Sequence, residues 1–412
     1  MAQVSNSTDP ACLPPIHFAA SMAGELPEVS YPLMALADDR FEMLGDFSSA
    51  ERKSALQAKV LDTIKVNGML PYYEKLCVEA GWKVDEALKV ELKKRNDEEL
   101  AKLEETIQDA KENLGDVEVR DGLQAKADFF NRIGDKEKAL EAYQVAYDKT
   151  VGVGGKLDNI LTVIRIALFF DDTQLVKKGI ERAKADLEKG GDWERRNKLK
   201  VYEGIYLMLT RDWRSAALKF QDAIATFTAV EVTDFNSFIF YAVILSMVSC
   251  DRQILNTKIK DSPDVLSAIG DSSNIKSEGL KEFLMSYYNC QYKECMENFV
   301  VVINHVRENR YLNRHVRYFM RTMRRNCYRQ YLAPYKSVKV DTMAEAFGVT
   351  PAFIDAELSS FITSGLACKI DAVSGIIASD ADDERNDKYR QTIKQGDALL
   401  NKIQKLARIT DV

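Results

Sequence analysis

Few residues in this chain could carry chemistry. Three histidines (His17, His305 and His315) and seven cysteines (Cys12, Cys77, Cys250, Cys290, Cys295, Cys327 and Cys368) are the whole stock of imidazoles and thiols in 412 residues. The cysteines lack the density of a disulfide framework and the paired spacing of a zinc site, and a reducing compartment is the simplest reading. His305 and His315 lie in what reads as one Arg-rich helix, ten residues apart, a poor spacing for shared ligation. There is no HExxH, paired CxxC, GxxxxGK[ST] or GxSxG. The run GVGG (152–155) falls between helical stretches with no strand before it, so it is expected to be a loop between repeats and not a phosphate cradle. No catalytic residue, metal site or cofactor is predicted, and the chain is read as a non-enzyme.

The remaining chemical signal is basic. Arg307, Arg310, Arg314, Arg317, Arg321, Arg324, Arg325 and Arg329 form a run in which Arg310 to Arg324 recur at steps of 4, 3, 4 and 3, one face of a helix. Such a stripe next to a winged helix raises nucleic-acid binding as a rival function. The helix that would enter a groove, 350–364, argues against it: it holds no Lys, Arg, Asn or Gln and carries Asp355 and Glu357. With a formal charge of −6, the chain as a whole offers no attractive field for polyanions. The arginines are expected to pair with carboxylates of the preceding repeats or of a partner.

The elements that position these residues follow from pattern. Apolar residues make up 46% of the chain and charged residues 29%, an ordinary globular balance for two or three packed units. The longest apolar stretch, 238–248, is too short to cross a bilayer and reads as a buried helix. Residues 1–45 contain Pro10, Pro14, Pro15, Pro27 and Pro32 and no lasting period, so a flexible arm is expected. No Lys or Arg precedes Arg40, which argues against a targeting signal. From 83 to 114 a long charged helix carries a narrow stripe of Leu100, Leu103, Ile107, Ala110 and Leu114.

Repeats begin near Leu123. Turns at Asp135, Asp172, Asp212, Asp251 and Gln291 fall at intervals of 37, 40, 39 and 40 residues. Four residues after each turn stand Ala139, Val176, Ala216, Leu255 and Cys295, and eight after stand Tyr143, Ile180, Phe220, Ile259 and Phe299. Eight before stand Ala127, Ile164, Gly204, Val243 and Phe283. These columns predict stacked helix pairs, a solenoid similar to tetratricopeptide repeats with a longer period. After Pro334 the order is strand (337–340), helix, helix with Thr350 as N-cap and Pro351 at its first position, then strands at 366–370 and 375–378: a winged helix. A last amphipathic helix spans 387–409.

Degenerate helical repeats running into a winged helix resemble the PCI domain, the module shared by subunits of the proteasome lid, the signalosome and a translation initiation factor. Within that family PYYEKLC (71–77), RIGDKEKAL (132–140), GGDWERRNKLKVYEG (190–204), MAEAFGV (343–349), FIDAELSSFI (353–362) and CKID (368–371) are similar to the proteasome-lid branch, and the signalosome branch is the alternative. The resemblance covers about residues 55–412. It implies a mainly α chain with five parts: an arm at 1–45, N-terminal helices at 46–115, repeats at 116–332 (PCI module from about 195), a winged helix at 333–379, and a bundle helix at 380–412. The implied role is a non-catalytic scaffold of the proteasome regulatory particle in cytoplasm and nucleus. Its implied partners are other PCI-domain lid subunits and a helical bundle, without nucleic acid or membrane. The expected contact residues are Val338, Val340, Lys369 and Ile370 at the sheet edges, which a neighbouring strand could cover, and Ile393, Leu399, Leu400, Ile403 and Leu406 on the apolar face of the last helix.

Overall fold

The computed structural model describes residues 30–270, 278–379 and 384–410. Four helices come first: α1 (Met34–Leu44), α2 (Ala50–Asn67), α3 (Leu70–Ala80) and α4 (Glu86–Asn113). Local signals explain most of their ends. Ser49 accepts from the Arg52 N–H at the start of α2, Gly68 ends it in the left-handed region, and Asp85 accepts from the Ala87 and Leu88 N–H groups to start α4.

Helix α1 corrects the expectation of an arm through residue 45; the part of that arm before residue 30 lies outside the described residues. Its N-cap Leu33 makes no side-chain cap bond and its first turn has no acid, so the helix is not announced locally. Tertiary contacts hold it instead. Met34, Leu36, Ala37 and Met43 are buried in the main core. Asp38 lies 3.2 Å from the Arg310 guanidinium, Arg40 lies 3.6 Å from both Glu79 and Asp171, and Lys59 reaches Asp39 at 2.7 Å.

The repeats are built from α5 (Asp116–Ile133), α6 (Lys136–Lys149), α7 (Val153–Phe169), α8 (Thr173–Glu188), α9 (Trp193–Leu209), α10 (Trp213–Ala223), α11 (Phe235–Ser249), α12 (Arg252–Leu255), α13 (Pro263–Gly270), α14 (Leu280–Tyr288) and α15 (Tyr292–Glu308). Four of the five turns share one geometry. The residue before each turn position (Gly134, Asp171, Arg211 or Cys290) has a φ of 57 to 78°. The N–H of Asp135, Asp172, Asp212 or Gln291 then donates to the carbonyl five residues back, at 2.9–3.1 Å. The first three turns add an aspartate cap, in which the side chain accepts from the N–H of Lys138, Leu175 or Ser215.

The turn at Asp251 departs from this pattern: Cys250 is extended, and α12 is a four-residue stub running into a π turn at Asn256–Lys260. All three sequence columns are buried, including its Leu255, Ile259 and Val243. Where a residue is small, its neighbour fills the space. A Cβ on Gly204 would stand 2.5 Å from the Phe220 ring, and one on Gly179 would stand 2.5 Å from Ile164. GVGG is not a free loop, because Gly152 caps α7 and the next three residues form its first turn. The α4 stripe packs within the chain: Ile107 and Ala110 are buried and Leu100 and Leu103 lean on the cluster around Phe130 and Tyr143, while Leu114 is exposed.

The last repeat feeds α16 (Val316–Leu332), β1 (Ser337–Lys339), α17 (Val340–Phe347), α18 (Pro351–Thr363), β2 (Cys368–Asp371), β3 (Ile376–Ser379) and α19 (Glu384–Thr410). The sheet order is β1-β3-β2, antiparallel throughout, with Val338 opposite Ile377 and Ile370 opposite Ile377 on the other side. The Arg-rich stretch is not one helix. Asn309 accepts from the N–H groups of Tyr311 and Leu312, a turn that separates α15 from α16 and puts His305 and His315 on different elements. Arg310 therefore leaves the stripe and is buried against Asp38.

Candidate subunit-interaction surfaces

Aromatic packing mounts the winged helix on the last repeat. Phe347 of α17 stacks on Tyr292 of α15 at 4.8 Å and meets Tyr328 and Tyr331 of α16 edge-on at 4.9 and 5.5 Å. Below them the Tyr328 hydroxyl donates to Glu357 of α18 at 2.5 Å, and Arg324 reaches the same carboxylate at 2.7 Å. Burial, with Glu357 beside it, pushes the Tyr328 hydroxyl far above its usual range, so the phenol stays a donor. Arg321 lies 5.8 Å over the Phe361 ring. Two stripe arginines are thus spent inside the chain, holding α18 to α16, and Glu357 is committed to that joint.

The sheet therefore has a fixed position, and β1 and β2 are its edges. Val338 is buried beneath it. Val340 has left the strand to begin α17, and both it and Ile370 are half-buried against the chain's own core. Lys369 alone of these four is exposed. The alternation of a strand explains this: Val338 and Ile370 turn toward the core while Lys369 turns outward. What the edges present outward is backbone.

Helix α19 is the opposite case. Every side chain described on it, 388–408, is exposed. Ile393, Leu399, Leu400, Ile403 and Leu406 are 54–65% exposed and fall on one stripe. At 1.5 Å per residue the helix is about 40 Å long. Its five apolar side chains could each contribute about 1.5–3 kcal/mol if covered.

The six described cysteines are free, and among the described residues no three or more His, Cys, Asp or Glu side chains gather as a metal site. Cys327 and Cys295 face each other in the core, where that contact and burial push the Cys327 thiol well up. Sequence reasoning missed the anchoring of α1 by Arg310. The signal available was the pair Asn309 and Asn313, turn formers that break the arginine helix.

Comparison with known proteins agrees with this architecture. The family model described as 26S proteasome subunit RPN7 matches residues 85–258, the PCI domain matches 302–380, and the RPN7/PSMD6 C-terminal helix matches 388–409. The 26S proteasome non-ATPase regulatory subunit 6 homolog of Arabidopsis thaliana is 45% identical over 382 residues, 92% of this chain and 97% of that one. The Oryza sativa subsp. japonica protein named 26S proteasome non-ATPase regulatory subunit 6 is 47% identical, over 87% of this chain and 92% of its own. The Saccharomyces cerevisiae protein named 26S proteasome regulatory subunit RPN7 is 34% identical, over 91% and 92%. A chain with these repeats, this winged helix and this terminal helix belongs to the RPN7/PSMD6 family of 26S proteasome regulatory subunits.

Proposed function

We propose that the chain is a non-catalytic scaffold subunit of the lid of the 26S proteasome regulatory particle, supporting assembly for ubiquitin-dependent degradation. The observation that carries the reading is α19: about 40 Å of helix with an apolar stripe exposed along its length. Such a stripe is stable in water only at a cost that a helical bundle removes. The exposed edges of β1 and β2 supply a second docking mode, through backbone pairing with the winged helix of a neighbouring PCI subunit. Labour divides accordingly between N-terminal helices at 46–115, repeats at 116–332, a docking module at 333–379 and a bundle segment at 380–412. The subunit would follow the particle into cytoplasm and nucleus. Among the described residues no helix is long and apolar enough to cross a membrane.

The test is native purification of the tagged chain and identification of its stoichiometric partners. Lid subunits are expected. Recovery of a signalosome set, or of chromatin, would replace this reading with one of its rivals.

A further inference from the structure

Between α6, α7 and α8 lies a cavity of about 280 Å³ that the scaffold role does not use. Its floor is apolar, made by Leu140, Ile160, Val163 and Leu175. Its polar lining carries no carboxylate, although the chain as a whole is acidic. The carboxylates nearby are already hydrogen-bonded: Asp128 accepts from the Tyr143 hydroxyl, Asp186 from the Tyr147 hydroxyl and Lys189, and Asp148 from Gln144, while the charge of Arg182 also helps hold Asp186 ionised.

The cations do face it. Lys178 and Arg182 stand one turn apart on α8, and Lys178 makes no ion pair among the described residues. Arg182 is oriented by two contacts, a 2.8 Å bond to the Gln144 side-chain oxygen and the Tyr147 ring 3.9 Å away. Asn159 also lines the cavity; it is 5% exposed, and its side-chain amide makes no hydrogen bond to any described residue.

We propose that this cavity binds the C-terminus of another polypeptide whose last residue is apolar, with the terminal carboxylate taken by Lys178, Arg182 and Asn159 and the last side chain seated on the floor. Two features select a terminus over an internal acidic residue. The cations and the apolar floor converge on one small cavity, so charge and hydrocarbon must come from nearly the same place in the ligand. Only a C-terminal residue carries a carboxylate and an apolar side chain on the same α-carbon. Charge complementarity supplies the attraction, and the unpartnered amide supplies the direction. This site is independent of α19 and of the sheet edges, so it stands or falls separately from the scaffold reading.

The experiment is fluorescence anisotropy on the full chain with labelled Gly-Ser-Gly-Ser-Ala-Leu. The free acid is compared with its C-terminal amide, with a free acid ending in Ser, and with an amidated peptide carrying an internal Glu before Leu. The free acid is expected to bind about tenfold or more tightly than each of the other three. Lys178→Glu, at an exposed position, should weaken it about tenfold while leaving the thermal unfolding of the chain in place. Asn159→Leu should remove the preference for acid over amide; because that variant alters a buried position, Lys178→Glu is the deciding substitution. Equal binding of acid and amide, equal binding of the internal-Glu peptide, indifference to Lys178→Glu, or no binding of the free acid at about 1 mM would each overturn the proposal.

Discussion

Helices α11 and α19 are both rich in apolar residues, and the chain treats them in opposite ways. In α11 every side chain from Ser237 to Val248 is buried, on all sides of the helix. In α19 every described side chain is exposed, and the apolar ones keep to one stripe. The difference is one of supply. The repeats surround α11 with α10, α13, α14 and α16, so a helix without a polar face is stable there. Among the described residues nothing of comparable extent covers α19, which keeps Lys394, Asp397, Lys402 and Lys405 on its other sides.

The strongest way to break this contrast is to charge the α19 stripe. Leu399→Asp with Ile403→Asp puts two carboxylates where an apolar bundle is expected, at a cost of several kcal/mol, and incorporation into the particle should be lost. The isolated chain should change by no more than about 0.5 kcal/mol, because both positions already face water. Normal incorporation, or a large fall in unfolding temperature, would show that the stripe has no outside partner or that it packs at home.

Next in size is the reverse experiment. Phe238 of α11 packs on Phe220 at 5.3 Å and Phe227 at 4.6 Å. Phe238→Ala should cost about 3–5 kcal/mol, a large part of a typical total of about 5–15 kcal/mol, and denaturant unfolding of the purified chain measures it. A cost below about 1 kcal/mol would mean that the repeat interior collapses readily around α11.

Two glycines sharpen the same contrast with opposite signs. Gly204→Ala drives a methyl to 2.5 Å from Phe220 and should destabilise by about 1–3 kcal/mol. Gly396→Ala meets nothing within 4 Å and should make α19 more helical, by up to about 1 kcal/mol. Unfolding curves read the first and hydrogen exchange along 388–408 reads the second. The contrast fails if the two substitutions act alike.

What is legible in the sequence divides along the same line. The repeat columns are legible because most turns write their own chemistry locally: an aspartate cap at three of them, a left-handed residue before four, and small residues facing large ones, as Gly204 faces Phe220. The α19 stripe is legible for the same reason. Helix α1 is not, since Asp38 and Arg40 find Arg310, Glu79 and Asp171 only after the chain has folded. Among the expected contact residues, Val338 shows what an edge strand offers: the pleat turns its side chain inward, so a contact at that edge would run through the backbone. The cavity above Asn159 needs three helices in place before Lys178 and Arg182 converge, and no spacing in the sequence states that.

The smallest expected effect tests how α16, which arrives late in the chain, is seated on the body. The Nε2 of His315 lies 3.0 Å from the Leu209 carbonyl, so in the neutral ring that nitrogen carries the hydrogen and donates. Its ring stands edge-on to Trp213 at 6.1 Å, and its Nδ1 is buried without a partner. Burial holds its pKa below the ordinary histidine value, and Arg211 and Arg314 push the same way, while the bond to Leu209 opposes them. A second proton would sit on Nδ1 with no acceptor, beside two cations. The unfolded chain therefore binds that proton more readily than the folded one. This residue's contribution is whole above about pH 6.5 and is lost as pH falls from there through the lowered folded-state value. In His315→Gln the amide can still donate to Leu209, but nothing titrates. Its stability should decline less between about pH 6.5 and 5, by at most ~1.4 kcal/mol per pH unit for a single group. Hydrogen exchange should place the acid-induced loosening of the parent chain at the α9–α10 turn and the start of α16, with α19 unaffected. Equal slopes for parent and variant would show that His315 already titrates freely and that α16 is held by its aromatic and arginine contacts alone.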